Sequence, residues 1–148
     1  MKALIQRVKN SSVEIDGKIS SSIGAGMLIL LGVEKNDTFK TAAALADKVL
    51  KFRIFEDEND KMNLSVCDIN GEILVVSQFT LAADCKKGTR PSFDNAKMPK
   101  EANEIYEFFV NELKKSNLKI QTGVFGAMMD VKLTNDGPVT FMLEKQGQ

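Results

Sequence analysis

The sequence predicts a mixed α/β domain, with seven or eight strands and two long helices packed on one side. Three observations lead there. Residues 39–50 and the segment opened by Pro99 carry apolar side chains at helical spacing. Short apolar or alternating runs fill most of the remaining chain. Asp16-Gly17 and Asn70-Gly71 fall between such runs as hairpin signals, and helices separated by hairpins favour a mixed sheet with helices on one face. There is no internal repeat, low-complexity tract or linker, so residues 1–148 read as a single domain.

Taken in order, residues 1–15 read as a strand through Ala3, Leu4, Ile5, Val8, Val13 and Ile15. Asp16-Gly17 turns the chain, because both residues tolerate positive φ, and Lys18-Ile19 begins the return. Gly24-Ala25-Gly26 interrupts, and Met27-Leu28-Ile29-Leu30-Leu31 is a fully buried strand by composition. Asp37 is the expected N-cap of the first helix, whose inward face is Phe39, Ala42, Ala43, Ala46, Val49 and Leu50. The acidic run 56–60 is either a cation site or a solvated loop, and the loop is favoured because the run lacks the ligand spacing of a calcium loop. Residues 63–69 read as a short strand, and Asn70-Gly71 as its hairpin to a central strand over 72–79. Pro99 opens the second helix; Ala102, Ile105, Phe109 and Leu113 form its buried stripe, and Tyr106 is either a substrate stacker or, as this spacing favours, an aromatic at the edge of the core. Residues 118–124 are a further strand. Met129, Val131 and Leu133 alternate with polar residues on the next one, Asp136-Gly137-Pro138 reads as a turn, and Val139, Phe141 and Leu143 alternate on the last strand.

Composition excludes several kinds of chemistry. Hydrophobic residues make up 43% and charged residues 27%, the proportions of a soluble globular protein. The 148 residues contain no histidine, which removes any histidine triad, histidine metal ligand or imidazole base. Twenty basic residues balance twenty acidic ones, which argues against broad binding along duplex DNA. Cys67 and Cys85, with no secretory signal and no membrane-spanning run, suggest free thiols in the cytoplasm.

Two stretches stand out. Ser77-Gln78-Phe79-Thr80 ends the most apolar strand and delivers polar groups to the rim of a core. Period two would place Ser77 and Phe79 on one face, Gln78 and Thr80 on the other. The groups either satisfy buried backbone at a strand end or cradle a carbonyl oxygen as it becomes an oxyanion. Asn135-Asp136-Gly137-Pro138-Val139-Thr140 is either a tight hairpin turn or a backbone surface bared to a ligand, since glycine before proline has no Cβ. The unpatterned residues 82–99 carry Lys86, Lys87 and Arg90, which stand equally as a phosphate clamp or a solvated loop.

These stretches, together with Met1-Lys2-Ala3-Leu4-Ile5-Gln6-Arg7-Val8, Leu31-Gly32-Val33-Glu34-Lys35, Arg53-Ile54-Phe55-Glu56-Asp57, Lys61-Met62-Asn63-Leu64-Ser65, Arg90-Pro91-Ser92-Phe93 and Phe125-Gly126-Ala127-x-Met129, resemble the D-aminoacyl-tRNA deacylases nearly end to end. The resemblance implies a three-layer α/β fold with two barrel-like β-sheets, and a homodimer. It implies hydrolysis of the ester joining a D-amino acid to the 3′-terminal adenosine of tRNA, with glycyl-tRNA also accepted and no cofactor or metal. In the family a cis Gly-Pro pair from one subunit enters the active site of the other and crowds out L side chains. That role falls here on Gly137 and Pro138, braced by Arg7. Ser77, Gln78, Phe79 and Thr80 would hold the aminoacyl group and adenosine, and Phe125, Gly126, Ala127 and Met129 would line the pocket. The adenosine 2′-OH would assist water attack, which accounts for the missing histidine. Neither cysteine is expected to act in catalysis. Two alternatives remain: an editing deacylase acting mainly on glycine or L-alanine, and a non-catalytic nucleic-acid-binding module using the basic loop.

Overall fold

The computed structural model describes residues 1–147. Its strands are β1 (Lys2–Ile15), β2 (Lys18–Ile23), β3 (Gly26–Gly32), β4 (Phe55–Glu56), β5 (Met62–Leu64), β6 (Glu72–Ser77), β7 (Ile120–Thr122) and β8 (Asp130–Glu144). Two helices, α1 (Phe39–Lys51) and α2 (Pro99–Lys114), complete the frame. No helix among the described residues is long and apolar enough to cross a membrane.

Six strands form one sheet in the order β2-β1-β3-β6-β7, with β8 on the free edge of β1. This sheet curls into a nearly closed barrel, and β4–β5 form a separate two-stranded ribbon. Alternation of side chains gives the sheet two apolar faces. Ile5, Met27, Ile29, Leu31, Ile73 and Val75 point toward α1 and α2, where Leu45, Val49, Phe109 and Leu113 meet them. Leu28, Leu74, Val76, Val8 and Val13 point the other way, into the curl of the sheet. Each such buried side chain contributes about 1.5–3 kcal/mol. The helices, the sheet and its curled continuation are the three layers that the family resemblance implies, and both helices lie on one side, as the residue pattern predicts.

Five local expectations are corrected. Asp37 does not cap α1; Thr38 does, in a reciprocal box with Thr41. Asp37 is instead buried, accepting the Met1 α-ammonium at 2.9 Å and the Glu34 N–H at 2.7 Å. Residues 63–69 are not one strand. β5 stops at Leu64, and Ser65 and Asp68 exchange hydrogen bonds that start a turn. Asn70-Gly71 therefore closes no hairpin: β5 pairs with β4, and β6 runs parallel to β3. The central strand ends at Ser77, and residues Phe79–Ala82 coil into a 3-10 turn. Finally, Gly137-Pro138 does not separate two strands. β8 runs through it and pairs with β1 on both sides.

That last feature has a simple geometry. Gln6 faces Thr140 and Val8 faces Asn135, so residues 136–139 stand opposite Arg7 alone. The surplus backbone leaves the ladder as an outward bulge.

Candidate active site

The site begins where β6 runs out. The Gln78 N–H donates to the Leu31 carbonyl at 2.8 Å, the last rung joining β6 to β3. The chain then tightens, with the Leu81 N–H donating to the Gln78 carbonyl at 3.2 Å. This packing explains Gly32 at the end of β3, since a Cβ there would lie 2.9 Å from the Leu81 Cβ. As the opening residues of a 3-10 turn, Phe79 and Thr80 have N–H groups with no carbonyl upstream in that turn. The alternation expected for residues 77–80 is lost in the turn, and Gln78 reaches Thr80, its Nε2 donating to Oγ1 at 2.6 Å.

Beside this turn opens a cleft of about 610 Å³. Ser77, Gln78 and Phe79 form one part of its lining, and Phe125, Gly126, Ala127 and Met129 another. The 125–129 wall is a tight loop. Gly126 takes φ +78°, the Ala127 N–H donates to the Val124 carbonyl, and the Val124 N–H donates to the Met129 sulfur at 3.4 Å. Its rim is unusually apolar for a surface: Met128 is 92% exposed, Met98 71% and Phe79 58%. Phe79 and Phe93 form a tilted pair, with ring centroids 5.2 Å apart and planes at 58°. The lining includes no carboxylate and no thiol, and its single charged residue is Lys97.

Tyr106 ties floor to wall from behind. Its hydroxyl donates to the Val75 carbonyl at 2.8 Å, two residues before Ser77, and its ring lies 5.9 Å from that of Phe125. Burial, reinforced by Glu107, pushes the phenol far above its ordinary pKa, so it stays a neutral donor. Its place is the edge of the core, as the helical spacing predicts.

Gly137 and Pro138 are exposed, and the peptide between them is cis. Gly137 has φ +147°, and a Cβ there would meet Val139 Cγ2 at 2.7 Å, so glycine is required. Three groups fix the bulge. Asn135 Oδ1 accepts the Val139 N–H at 2.6 Å, while its Nδ2 donates to the Val139 carbonyl and the Thr140 hydroxyl. Arg7, 6% exposed, donates from Nε to the Asp136 carbonyl and from Nη1 to the Ile54 carbonyl, both at 2.9 Å. Glu56 and the Asp136 carboxylate lie 3.6 and 3.7 Å from the guanidinium.

The residues singled out in the sequence thus fall into three groups. Ser77, Gln78, Phe79, Phe125, Gly126, Ala127 and Met129 share the cleft, with Thr80 bonded to Gln78 beside it. Arg7, Gly137 and Pro138 form a separate cluster. Arg7 pairs with Met27, and Met27 with Ile73, so the bulge sits three strands from β6 and four residues short of Ser77. Along the sheet that is about 14 Å across and about 13 Å lengthwise. Lys86, Lys87 and Arg90 are exposed on a loop pinned by the Asp84–Ser92 bridge, outside the cleft lining. Sequence reasoning missed Phe93 and Lys97 as cleft residues, because 82–99 has no periodicity. The Arg-Pro-Ser-Phe tag was the available signal. Cys67 lies in a different concavity, with its thiol pushed up by burial and by Asp68, the opposite of an activated nucleophile. The acidic run 56–60 forms an exposed turn in which the Lys61 and Asn59 N–H groups hold the Asp57 carboxyl below its usual range.

The family model described as D-Tyr-tRNA(Tyr) deacylase matches residues 4–144. A D-aminoacyl-tRNA deacylase of Pseudoalteromonas translucida (strain TAC 125) is 59% identical over 143 residues, covering 97% of this chain and 99% of that protein. One from Aquifex aeolicus (strain VF5) is 56% identical over 146 residues, covering 99% of both. A solved structure described as c-Myc DNA Unwinding Element Binding Protein superposes with a TM-score of 0.94 at 43% identity, over 99% of this chain and all of that one. A probable eukaryotic D-amino acid tRNA deacylase shares the fold with a TM-score of 0.84 at 15% identity, over 96% of this chain and 97% of that one.

Proposed function

The chain belongs to the D-Tyr-tRNA(Tyr) deacylase family, and from that premise we propose that it is a D-aminoacyl-tRNA deacylase, hydrolysing the ester between a D-amino acid and the 3′-terminal adenosine of tRNA. The observation that carries this reading is the make-up of the cleft: Ser77 and Gln78 set as polar groups in an apolar lining that has no carboxylate or thiol, in a chain without histidine. Such a site is equipped to hold an ester and stabilise its oxyanion, and poorly equipped to supply a side-chain base. The adenosine 2′-OH, adjacent to the ester, takes that part and assists the attack of water. The protein contributes orientation and oxyanion donors from the Gln78 amide, the Thr80 hydroxyl and the N–H groups opening the 3-10 turn. Donors of this kind lower a barrier by about 3–4 kcal/mol each.

Selection against L-amino acids is assigned to the Gly137-Pro138 backbone of a second subunit. The roughly 14 by 13 Å displacement of that bulge from Ser77 along the sheet supports a partner rather than the same chain as its target. A filter made of backbone rejects a side chain of the wrong hand by collision and tolerates any side chain of the right hand. It also has nothing to reject in glycine, so glycyl-tRNA is accepted. The active species is therefore a homodimer, working in the cytoplasm. Phe79 and Phe93 offer a stacking surface for the adenine, and Lys86, Lys87 and Arg90 contact the tRNA backbone farther from its 3′ end.

Hydrolysis of D-tyrosyl-tRNA against L-tyrosyl-tRNA, without added metal, tests this. Release of D-tyrosine alone is expected. Release of both would remove the steric filter. Release of neither by a folded dimer would favour the binding-module alternative.

A further inference from the structure

Lys97 is the one charged residue lining the cleft. Its side chain is 14% exposed and lies along the wall with its ammonium directed to the Lys35 carbonyl at 2.8 Å. Among the described residues, the carboxylate within 4.0 Å of it is Glu101, at that limit and largely solvated. An ammonium carries three N–H donors. The Lys35 carbonyl takes one, and an ion pair at that distance takes none firmly. Two N–H bonds therefore remain for an acceptor arriving in the cleft.

The backbone holds this lysine in place. The Lys97 N–H donates to the Val33 carbonyl, Glu34 and Ala96 form an antiparallel bridge, and the Lys35 N–H donates to the Asn95 carbonyl. These rungs set Lys35, itself exposed, on the segment beside Lys97. Lys97 is thus the charged residue of an otherwise uncharged cleft lining, and the exposed Lys35 sits on the backbone segment its ammonium bonds. Phe79, Phe93 and Lys97 line the same cleft of about 610 Å³, which therefore offers aromatic surface for a base and a cation for an anion.

Given the deacylase reading, on which this rests, we propose that Lys97, with Lys35 beside it, binds the phosphodiester that joins the terminal adenosine of the substrate to the preceding nucleotide. The acceptor end of tRNA carries permanent negative charge only on its phosphates, and this phosphate is the one nearest the ester. The contact would set how deeply the adenosine enters, and would let the enzyme distinguish a nucleic-acid end from a free aminoacyl nucleoside.

Two model substrates isolate the effect: the D-tyrosyl ester of adenosine, which has no phosphate, and the D-tyrosyl ester of cytidylyl-(3′→5′)-adenosine, which has this one. The wild type should show the lower KM for the second. Lys97→Met should shrink that KM ratio roughly tenfold, as loss of one charge-assisted contact implies, and the Lys35→Met/Lys97→Met double variant should shrink it further. Circular dichroism confirms that each variant is folded. A KM ratio that survives both substitutions, or a wild type that does not distinguish the two esters, overturns the proposal while leaving the deacylase intact. Failure of the wild type to hydrolyse either ester or D-tyrosyl-tRNA overturns the deacylase reading, and this proposal with it.

Discussion

Arg7→Met takes away the guanidinium and keeps an unbranched apolar stem in a site where the arginine is 6% exposed. Two carbonyls, of Asp136 and Ile54, each lose a donor held at 2.9 Å. Hydrogen bonds from a charged group are worth about 1.5–3 kcal/mol each. The carboxylates of Glu56 and Asp136 are nearly half exposed and 3.6–3.7 Å away, so their pairing adds only about 0–1 kcal/mol. Against this, the variant no longer desolvates a cation. The net expectation is a loss of about 3 kcal/mol. With a urea slope of about 2 kcal/mol/M, that is a fall of about 1.5 M in the midpoint of unfolding. The same change releases one anchor of the 136–139 bulge from the β4–β5 side, so discrimination against L-tyrosyl-tRNA should drop by roughly tenfold or more in protein that is still folded. The two readouts are independent. A loss under about 1 kcal/mol, together with intact discrimination, would refute the role of Arg7 as the brace of the bulge.

Other consequences are equally accessible. Thr80→Ala removes the oxygen that accepts from Gln78 and should lower kcat by about 10²–10³-fold, within the range for one oxyanion donor, without abolishing turnover; mass spectrometry of a quenched reaction showing an acylated Thr80 would contradict water as the nucleophile. Replacing Lys86, Lys87 and Arg90 with glutamine should flatten the salt dependence of tRNA binding by a log–log slope of about 2–3, read by filter binding at several salt concentrations. Tyr106 is the only tyrosine, so tyrosinate absorbance follows it alone. Its pKa is raised in the native state, so its share of stability is complete below pH about 10 and is lost above it, at about 1.4 kcal/mol per pH unit, until the native phenol ionises. The Tyr106→Phe variant should lack that alkaline slope in urea titrations, and an ordinary titration near pH 10 in the native wild type would disprove the buried donor.

Much of this architecture was readable from residue order. The two helices, the buried runs of β3 and β6 and the first hairpin follow from periodicity and turn chemistry, which are local. The expectations that failed depend on distant partners. Asp37 resembles a cap, but the Met1 ammonium, 36 residues earlier, claims it. Asn70 does take positive φ as a turn residue, yet what it turns toward is a parallel pairing with β3, and nothing near residue 70 encodes that. Period two predicts extended chain through Ser77-Gln78-Phe79-Thr80, where close packing of Leu81 on Gly32 coils it instead. The cleft residues that resembled a known family were found. Lys97 was not, because a lysine in an unpatterned loop carries no signal until Val33 and Lys35 are seen to hold it.

The bulge opposite Arg7 has a second consequence. β8 is a fifteen-residue strand on the open edge of β1, and its alternating pattern offers little resistance to slippage by two positions, which keeps every side chain on its own face. Residues 136–139 prevent that. To slide, β8 would have to draw Pro138, which has no N–H, into the ladder, and expel residues already paired on either side. The four-residue bulge that carries Gly137 and Pro138, the pair assigned to screening substrates, is also the pin that keeps the fifteen-residue β8 from creeping along its neighbour. A variant that deletes the bulge to relax specificity would surrender strand alignment as well.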